Sequence, residues 1–362
     1  MGRLGETFLN PIKIAVDAMG GDQGPDAVVQ GAVLATRELG VPIVLVGNPE
    51  AIERGLAGLP FNRELITIHP AKQVAEMSDP PIEVIRKKKD ASIRVALDLV
   101  KRGEVHGVVS AGNSGATMAL GVVVLGKLPG VDRPALGAIL PAPHTPTLVI
   151  DVGANVDCSA SQLIQFAIMA EPLARDIMKR TNPRIGLLSI GEEESKGNEL
   201  VHQTFEGLKK TPLNFVGNVE GRDIFSGKVD VIVCDGFVGN ICLKLSEGLA
   251  EALGQMLKQE ILKAGMVSKL GYQLLKPAFK SFSRRVDYAE YGGVPLLGVN
   301  GVVVISHGAS GPKAIMNAVR VAHQAVQNRI IDQVLDSLNR HEPFYRKTKP
   351  LRFWDSFRKK TG

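Results

Sequence analysis

The chain has 362 residues, 44% hydrophobic, 22% charged and only 5% aromatic, with 39 glycines and a formal net charge of +6. That length suits one large α/β domain or two closely joined lobes, and the scarcity of aromatics argues against an aromatic-rich β-sandwich. From residue 342 onward seven Lys/Arg stand against Glu342 and Asp355, so the body is nearly neutral and does not look like a nucleic-acid binder.

No apolar run reaches the length of a spanning helix, and Met1 to Pro11 lacks a cationic region followed by an apolar core. A cytoplasmic protein is the default expectation. Cys158, Cys234 and Cys242 are widely spaced and without a C-x-x-C, which suggests buried small hydrophobes rather than disulfides or a zinc site.

Ile12 to Asp17 reads as a strand, followed by a turn with Gly20, Gly21 and Asp22 and a helix from Asp26 to Leu39. Pro42 to Val46 and Leu65 to Ile68 are further strands. Arg86, Lys87, Lys88 and Lys89 form a charge run whose simplest reading is a solvated face, with a docking patch as the alternative. A helix is expected over Ser92 to Lys101, and Val105 to Ser110 then enters the glycine-rich turn Ser110-Ala-Gly-Asn-Ser-Gly-Ala-Thr117. Gly112 and Gly115 would let backbone approach a ligand, while Asn113 and Ser114 offer donors near a helix N-terminus. An anion cradle and a turn packed for geometry alone remain open here.

Alternating strands and helices argue for a largely parallel sheet covered on both faces. Ala135 to Leu140 and Thr147 to Ile150 are spaced like an antiparallel hairpin instead. The second run opens into Asp151-Val-Gly-Ala-Asn155-Val-Asp157, where hydrogen bonding to loop amides is a better reading than metal binding for want of a third ligand. After a helix from Gln162 to Lys179, the strand Ile185 to Ile190 leads to Lys196-Gly-Asn198, a cation and an amide placed to meet an anion. Asn214 to Asp223, including Asn218, and Val229 to Asn240, including Asp235, repeat the theme of a strand followed by glycine and polar groups. Repetition at what would be one sheet edge makes a small polar-ligand cleft the leading hypothesis.

A helical hairpin is expected at about 244–285. Its first arm carries Leu249, Leu253, Met256, Leu257 and Ile261, the break falls at Ala264-Gly-Met266-Val267, and the second arm sets Leu270, Leu274, Leu275, Phe279 and Phe282 beside Lys269, Lys276, Lys280, Arg284 and Arg285. A dimer interface and a membrane-touching tip both fit. Tyr291-Gly-Gly precedes the strand Val302 to Ser306, and His307 follows it; glycine and serine neighbours favour a cleft over a core histidine. A single helix from Ala314 to Leu338 would close a catalytic domain of residues 1–340. The basic, aromatic tail of residues 341–362 holds Phe353, Trp354 and Phe357, read as either disordered or an interfacial anchor.

Taken together, Asp17-Ala-Met-Gly-Gly-Asp22, Ser110-Ala-Gly-Asn-Ser-Gly-Ala116, Asp151-Val-Gly-Ala-Asn155, Lys196-Gly-Asn-Glu-Leu200, Asp235-Gly-Phe-Val-Gly-Asn240 and Tyr291-Gly-Gly resemble the bacterial acyl-ACP:phosphate acyltransferases, the PlsX family. The match runs from about Ile12 to about Val334 and does not cover the tail. The resemblance implies transfer of a fatty acyl group from acyl carrier protein to inorganic phosphate, giving acyl phosphate for phospholipid synthesis. It implies a three-layer, Rossmann-like α/β fold of the isopropylmalate-dehydrogenase type, a homodimer, peripheral membrane contact through the hairpin, and a downstream glycerol-3-phosphate acyltransferase as a partner. No cofactor and no metal are expected, since G-x-G-x-x-G and a divalent-metal triad are both missing.

Phosphate is itself the nucleophile in such a reaction, so the chain needs only to hold an anion against a thioester carbonyl and stabilise an oxyanion. Lys196 and Asn240 are the candidate catalytic residues, and the family's functional Lys and Asn map onto the same two. Asp17, Gly20, Gly21, Ser110, Gly112, Asn113, Ser114, Asp151, Asn155, Asn198, Asn218, Asp235 and His307 would line the site. The rivals are an acetyl-CoA-type phosphate acyltransferase, a nicotinamide-dependent dehydrogenase and a membrane-surface scaffold.

Overall fold

The computed structural model describes residues 11–263, 265, 271–279 and 292–345. Tyr291, the hairpin positions Met266, Val267, Lys269, Leu270, Lys280, Phe282, Arg284 and Arg285, and the tail from Arg346 lie outside the described residues. Eleven strands run β1 (Ile14–Asp17), β2 (Ile43–Gly47), β3 (Ile66–Pro70), β4 (Gly107–Ser110), β5 (Ala135–Leu140), β6 (Thr147–Ile150), β7 (Ile185–Leu188), β8 (Phe215–Val219), β9 (Val231–Val233), β10 (Val294–Leu297) and β11 (Val302–Ile305). They form one sheet in the order β3-β2-β1-β4-β11-β10-β5-β6-β9-β7-β8.

Strands buried on both faces explain the continuous apolar runs in the sequence. Successive residues of one strand feed different cores: Ile14 and Val16 go to one and Ala15 to the other, as do Leu148 and Ile150 against Val149. The first core is covered by α1 (Gly24–Leu39), α2 (Pro49–Leu56), α6 (Ala160–Asp176), α7 (Glu199–Leu208), α9 (Pro312–Gln327) and α10 (Ile330–Tyr345). The second is covered by α3 (Pro81–Lys87), α4 (Ser92–Lys101), α5 (Ser114–Leu120) and the start of α8 (Gly236–Lys263). Helices on both faces of a mixed sheet are therefore present, as expected.

The hairpin expected from residues 135–150 is present, with Gly137 opposite Ile150 and Leu140 opposite Thr147. Two helix limits differ from expectation by more than three residues or by a break. The long helix starts at Gly236 rather than near Lys244, because the Asp235 carboxylate caps it by accepting from the Val238 amide at 2.8 Å. The closing helix is two, α9 and α10, separated where Arg329 takes a positive φ of 53°.

The expectation of one shared sheet edge needs correction. β10 pairs antiparallel with both β11 and β5, and β5 pairs antiparallel with β6. Three reversals make β6, β9, β7 and β8 run opposite to β1, β4 and β11. The register nonetheless brings the strand ends together: Ile305 faces Val294, Leu296 faces Leu136, and Gly137 faces Ile150. Counting along these pairs, Ile305 and Ile150 sit within one residue step of the same level, about 3.3 Å. The carboxyl ends of the two halves thus approach the same central band from opposite directions.

Candidate active site

On one side of that band the loops after β1, β4 and β11 interlock. Asp17, 2% exposed, accepts from the Ser110 hydroxyl at 2.7 Å, and the same oxygen of Ser110 accepts from the Gly112 amide at 3.1 Å. Burial pushes the Asp17 carboxyl above its ordinary range, opposed by hydrogen bonds from Ser92, Ser110 and the Met19 and Gly20 amides. Gly20 is required by contact: a Cβ there would lie 2.6 Å from the Gly112 nitrogen. Gly21 lies beside Ala111 and Gly308, and the Asp22 amide donates to the Gly308 carbonyl at 2.8 Å. Asp17, Gly20, Gly21, Ser110 and Gly112 are thus brought together as a brace.

Asn113 caps α5 by accepting from the Ala116 amide at 2.9 Å, while its NH₂ group donates to the carbonyls of Glu76, Met77 and Asp79. These bonds tie the turn to the segment leading into α3. Asn113→Ala should cost about 1–2 kcal/mol of stability, as for a lost cap, and Asn113→Asp should keep the cap but lose the tie; urea unfolding that left both variants at wild-type stability would contradict this role. Exposed Ser114, the first residue of α5, is what this turn presents to the band.

The other side is organised by Asp151, which is fully buried. Its carboxylate accepts from the amides of Leu136, Gly153, Ala154 and Asn155 and from the Asn155 side chain, at 2.7–3.3 Å. Burial still raises its pKa against those donors. Asn155 also donates to the Pro134 carbonyl at 2.8 Å. Asp151 and Asn155 therefore shape a loop that sets Gly153 against the Asn240 side chain, 3.7 Å from where a Cβ of Gly153 would be. Hydrogen bonding to loop amides, the reading preferred for Asp151 from the sequence, is what its carboxylate does. Among the described residues no group of three or more His, Cys, Asp or Glu is placed to hold a metal. Burial first, and nearby Asp151 second, push the Cys158 thiol up to about 12, so it is not a thiolate at neutral pH.

A third loop follows β7. Asn218, on β8 and 5% exposed, donates to the Glu193 carbonyl at 3.0 Å, and Asn198 caps α7 by accepting from the Val201 amide at 3.0 Å. Between them Lys196 is exposed. Because β7 and β9 are neighbouring parallel strands, Leu187 opposite Val233, the Lys196 loop and the Asp235–Asn240 turn leave the sheet side by side.

At the meeting of the halves lies a cavity of about 210 Å³ between α5 and α8. Its floor and walls include Met118, Leu136, Ala138, Leu140, Val152 and Ile305, and its polar lining includes Ser114, Asn240, Lys244, Glu247 and His307. Ser114, Asn240 and His307 are thus brought to one place, whereas Lys196 does not line it. His307 accepts from the Ala309 amide through Nδ1 at 3.1 Å. Lys244, paired with Glu247 at 2.8 Å, was missed in the sequence; it stands four residues after Asn240, one helical turn along the same face.

The fold is that of the phosphotransacylases and related α/β enzymes. A phosphotransacetylase from Streptococcus pyogenes superposes with a TM-score of 0.59 at 19% identity, covering 88% of this chain and 94% of its own. A 4-hydroxythreonine-4-phosphate dehydrogenase from Klebsiella pneumoniae superposes at 0.51 with 14% identity, covering 88% and 100%. Residues 12–333 match the fatty acid synthesis protein family, and the chain belongs to it. Relatives named phosphate acyltransferase include those of Geotalea uraniireducens, 54% identical over 92% of this chain and 96% of theirs, and Nitratidesulfovibrio vulgaris strain DP4, 50% identical over 95% and 100%.

Proposed function

We propose that the chain transfers a fatty acyl group from acyl carrier protein to inorganic phosphate, releasing acyl phosphate and the free carrier for phospholipid synthesis. The observation that carries this reading is the convergence of Ser114, Asn240, Lys244 and His307 at an apolar cavity where the two half-sheets meet. The family description and the acyltransferase relatives support the acyl and phosphate parts. The carrier-protein donor rests on the motif resemblance.

Phosphate attacks the thioester carbonyl, a tetrahedral oxyanion forms, and the carrier thiolate leaves. Asn240 donates to that oxyanion without changing charge, and Lys196 offsets the charge of the attacking phosphate. The braces at Asp17 and Asp151 keep the two sides of the band fixed, so little reorganisation is needed at the moment of reaction. Ser114 and His307 position the anion.

A homodimer is supported by α8. Leu245, Leu249, Leu253 and Met256 are 54–68% exposed at helical spacing, an apolar row suited to a second copy of the chain, with the membrane surface beyond it. No helix among the described residues is long and apolar enough to cross a membrane. Acyl phosphate is a reactive mixed anhydride, which favours prompt consumption by a partner such as a glycerol-3-phosphate acyltransferase at that surface.

The deciding experiment incubates the purified chain with acyl-ACP and phosphate without added metal and traps acyl phosphate with hydroxylamine. Hydroxamate is expected from acyl-ACP. Product from acetyl-CoA alone would instead assign a short-chain coenzyme A donor.

A further inference from the structure

We infer that the cavity between α5 and α8 is an acyl-chain pocket and that Ala138, at its floor, sets the chain length it accepts. The inference rests on the acyl-transfer reading above and goes beyond it by naming where the chain lies. β5 runs through the cavity, and alternation along the strand turns Leu136, Ala138 and Leu140 to the same face. Ala138 is the smallest of the three and is 3% exposed, so a larger side chain there would take up space between two large neighbours.

With the buried hydroxyl of Ser306 and the half-buried Glu247 as exceptions, exposure sorts the lining by chemistry. Leu136, Leu140, Val152 and Ile305 are buried, whereas Ser114, Asn240, Lys244 and His307 are exposed. The cavity therefore has an apolar floor and a polar mouth. A ligand with a single polar end and a long apolar body matches both. An adenine or nicotinamide ring inserted there would leave its ring nitrogens without partners against Leu136, Leu140 and Ile305. Side walls come from Met118 and Leu243, half-buried residues on the two helices that flank the opening. A flexible thioether beside an aliphatic side chain can follow a chain of changing shape.

The geometry also fixes which end reacts. With Asn240 at the mouth, a chain lying over Ala138 presents its thioester carbonyl to the same amide that stabilises the oxyanion. Length selection then arises at the floor, away from the reacting atoms.

Ala138→Leu would fill the floor, and Leu243→Ala would open the wall from α8. Steady-state turnover is measured for both and for wild type with hexanoyl-, dodecanoyl- and hexadecanoyl-ACP. Binding of the fluorescent fatty acid cis-parinaric acid, competed by hexadecanoic acid, is measured in parallel and requires no turnover. Ala138→Leu is expected to lower the ratio of kcat/KM for hexadecanoyl over hexanoyl donor by about tenfold or more, and to weaken competition by hexadecanoic acid to a similar degree. Leu243→Ala should move the optimum toward longer donors. Wild-type turnover with unchanged ratios and unchanged competition in both variants would overturn the pocket assignment. Should wild type make no acyl phosphate from any donor, the proposed reaction falls. The competition data then decide the pocket alone: loss in Ala138→Leu supports it, and no change overturns it.

Discussion

Replacing Asn240 by alanine should lower kcat about 10²–10³-fold, the usual cost of removing one oxyanion donor, while leaving the fold intact. Asn240 is exposed at the start of the second turn of α8, so truncation empties no core. An interaction formed only as the carbonyl oxygen becomes an oxyanion affects kcat and kcat/KM equally. Lys196→Ala should differ in its signature. In the proposed role its cation would act on phosphate in both ground and transition state, so the KM for phosphate should rise along with a fall in kcat. Asn240→Asp should be at least as damaging as the alanine variant, because it sets a negative charge against an anionic transition state. Rates over a phosphate titration, with circular dichroism as the folding control, distinguish these cases. Full activity in Lys196→Ala would remove that residue from the site, and a pure KM effect in Asn240→Ala would remove the oxyanion role.

The three-layer architecture was legible because strands buried on both faces leave unbroken apolar runs, as in Val231–Val233 and Val302–Ile305. The direction of half the sheet was not. β10 carries Pro295 and is bounded by Gly292, Gly293 and Gly298, a composition that reads as a turn rather than a central strand. Missing that strand changes the number of antiparallel pairings and places all the polar loops at one edge. The real arrangement depends on register, which a single sequence does not display.

Side-chain direction was the second gap. Asn113, Asn155 and Asn218 each belong to the strand-end regions where a ligand amide would be sought, yet each donates to backbone carbonyls. Composition reveals an amide near a strand end but not whether it turns inward to hold the loop or outward to a ligand. Asn240 differs because it stands within a helix turn already anchored by Asp235 and is exposed beside the cavity. The same missed helix start hid Lys244, since the four-residue spacing from Asn240 has meaning only if both residues are helical.

That anchoring depends on Gly239, and Gly239→Ala should be strongly disruptive. Alanine ordinarily favours a helix interior over glycine by about 1 kcal/mol. At this position, however, a Cβ would fall 1.9 Å from the backbone carbonyl oxygen of Asp151 and 2.9 Å from the Cys234 sulfur. A main-chain oxygen belonging to a fully buried residue cannot move aside as a flexible side chain would. Either the first turn of α8 lifts from the Asp151 loop or that loop gives way, at a cost of about 1–3 kcal/mol as for an overpacked core. Both routes displace Asn240, the next residue, and a shift of roughly 1 Å in a positioning group is enough for about 10²-fold in rate. Gly248→Ala supplies the contrast: on the same helix and exposed, it has nothing within 4 Å of an added Cβ. That variant should gain about 0.5–1 kcal/mol and keep its turnover. Urea unfolding and acyl phosphate formation measured on the pair test the argument, and a Gly239→Ala protein with wild-type stability and rate would show that the contact between α8 and the Asp151 loop does not position Asn240.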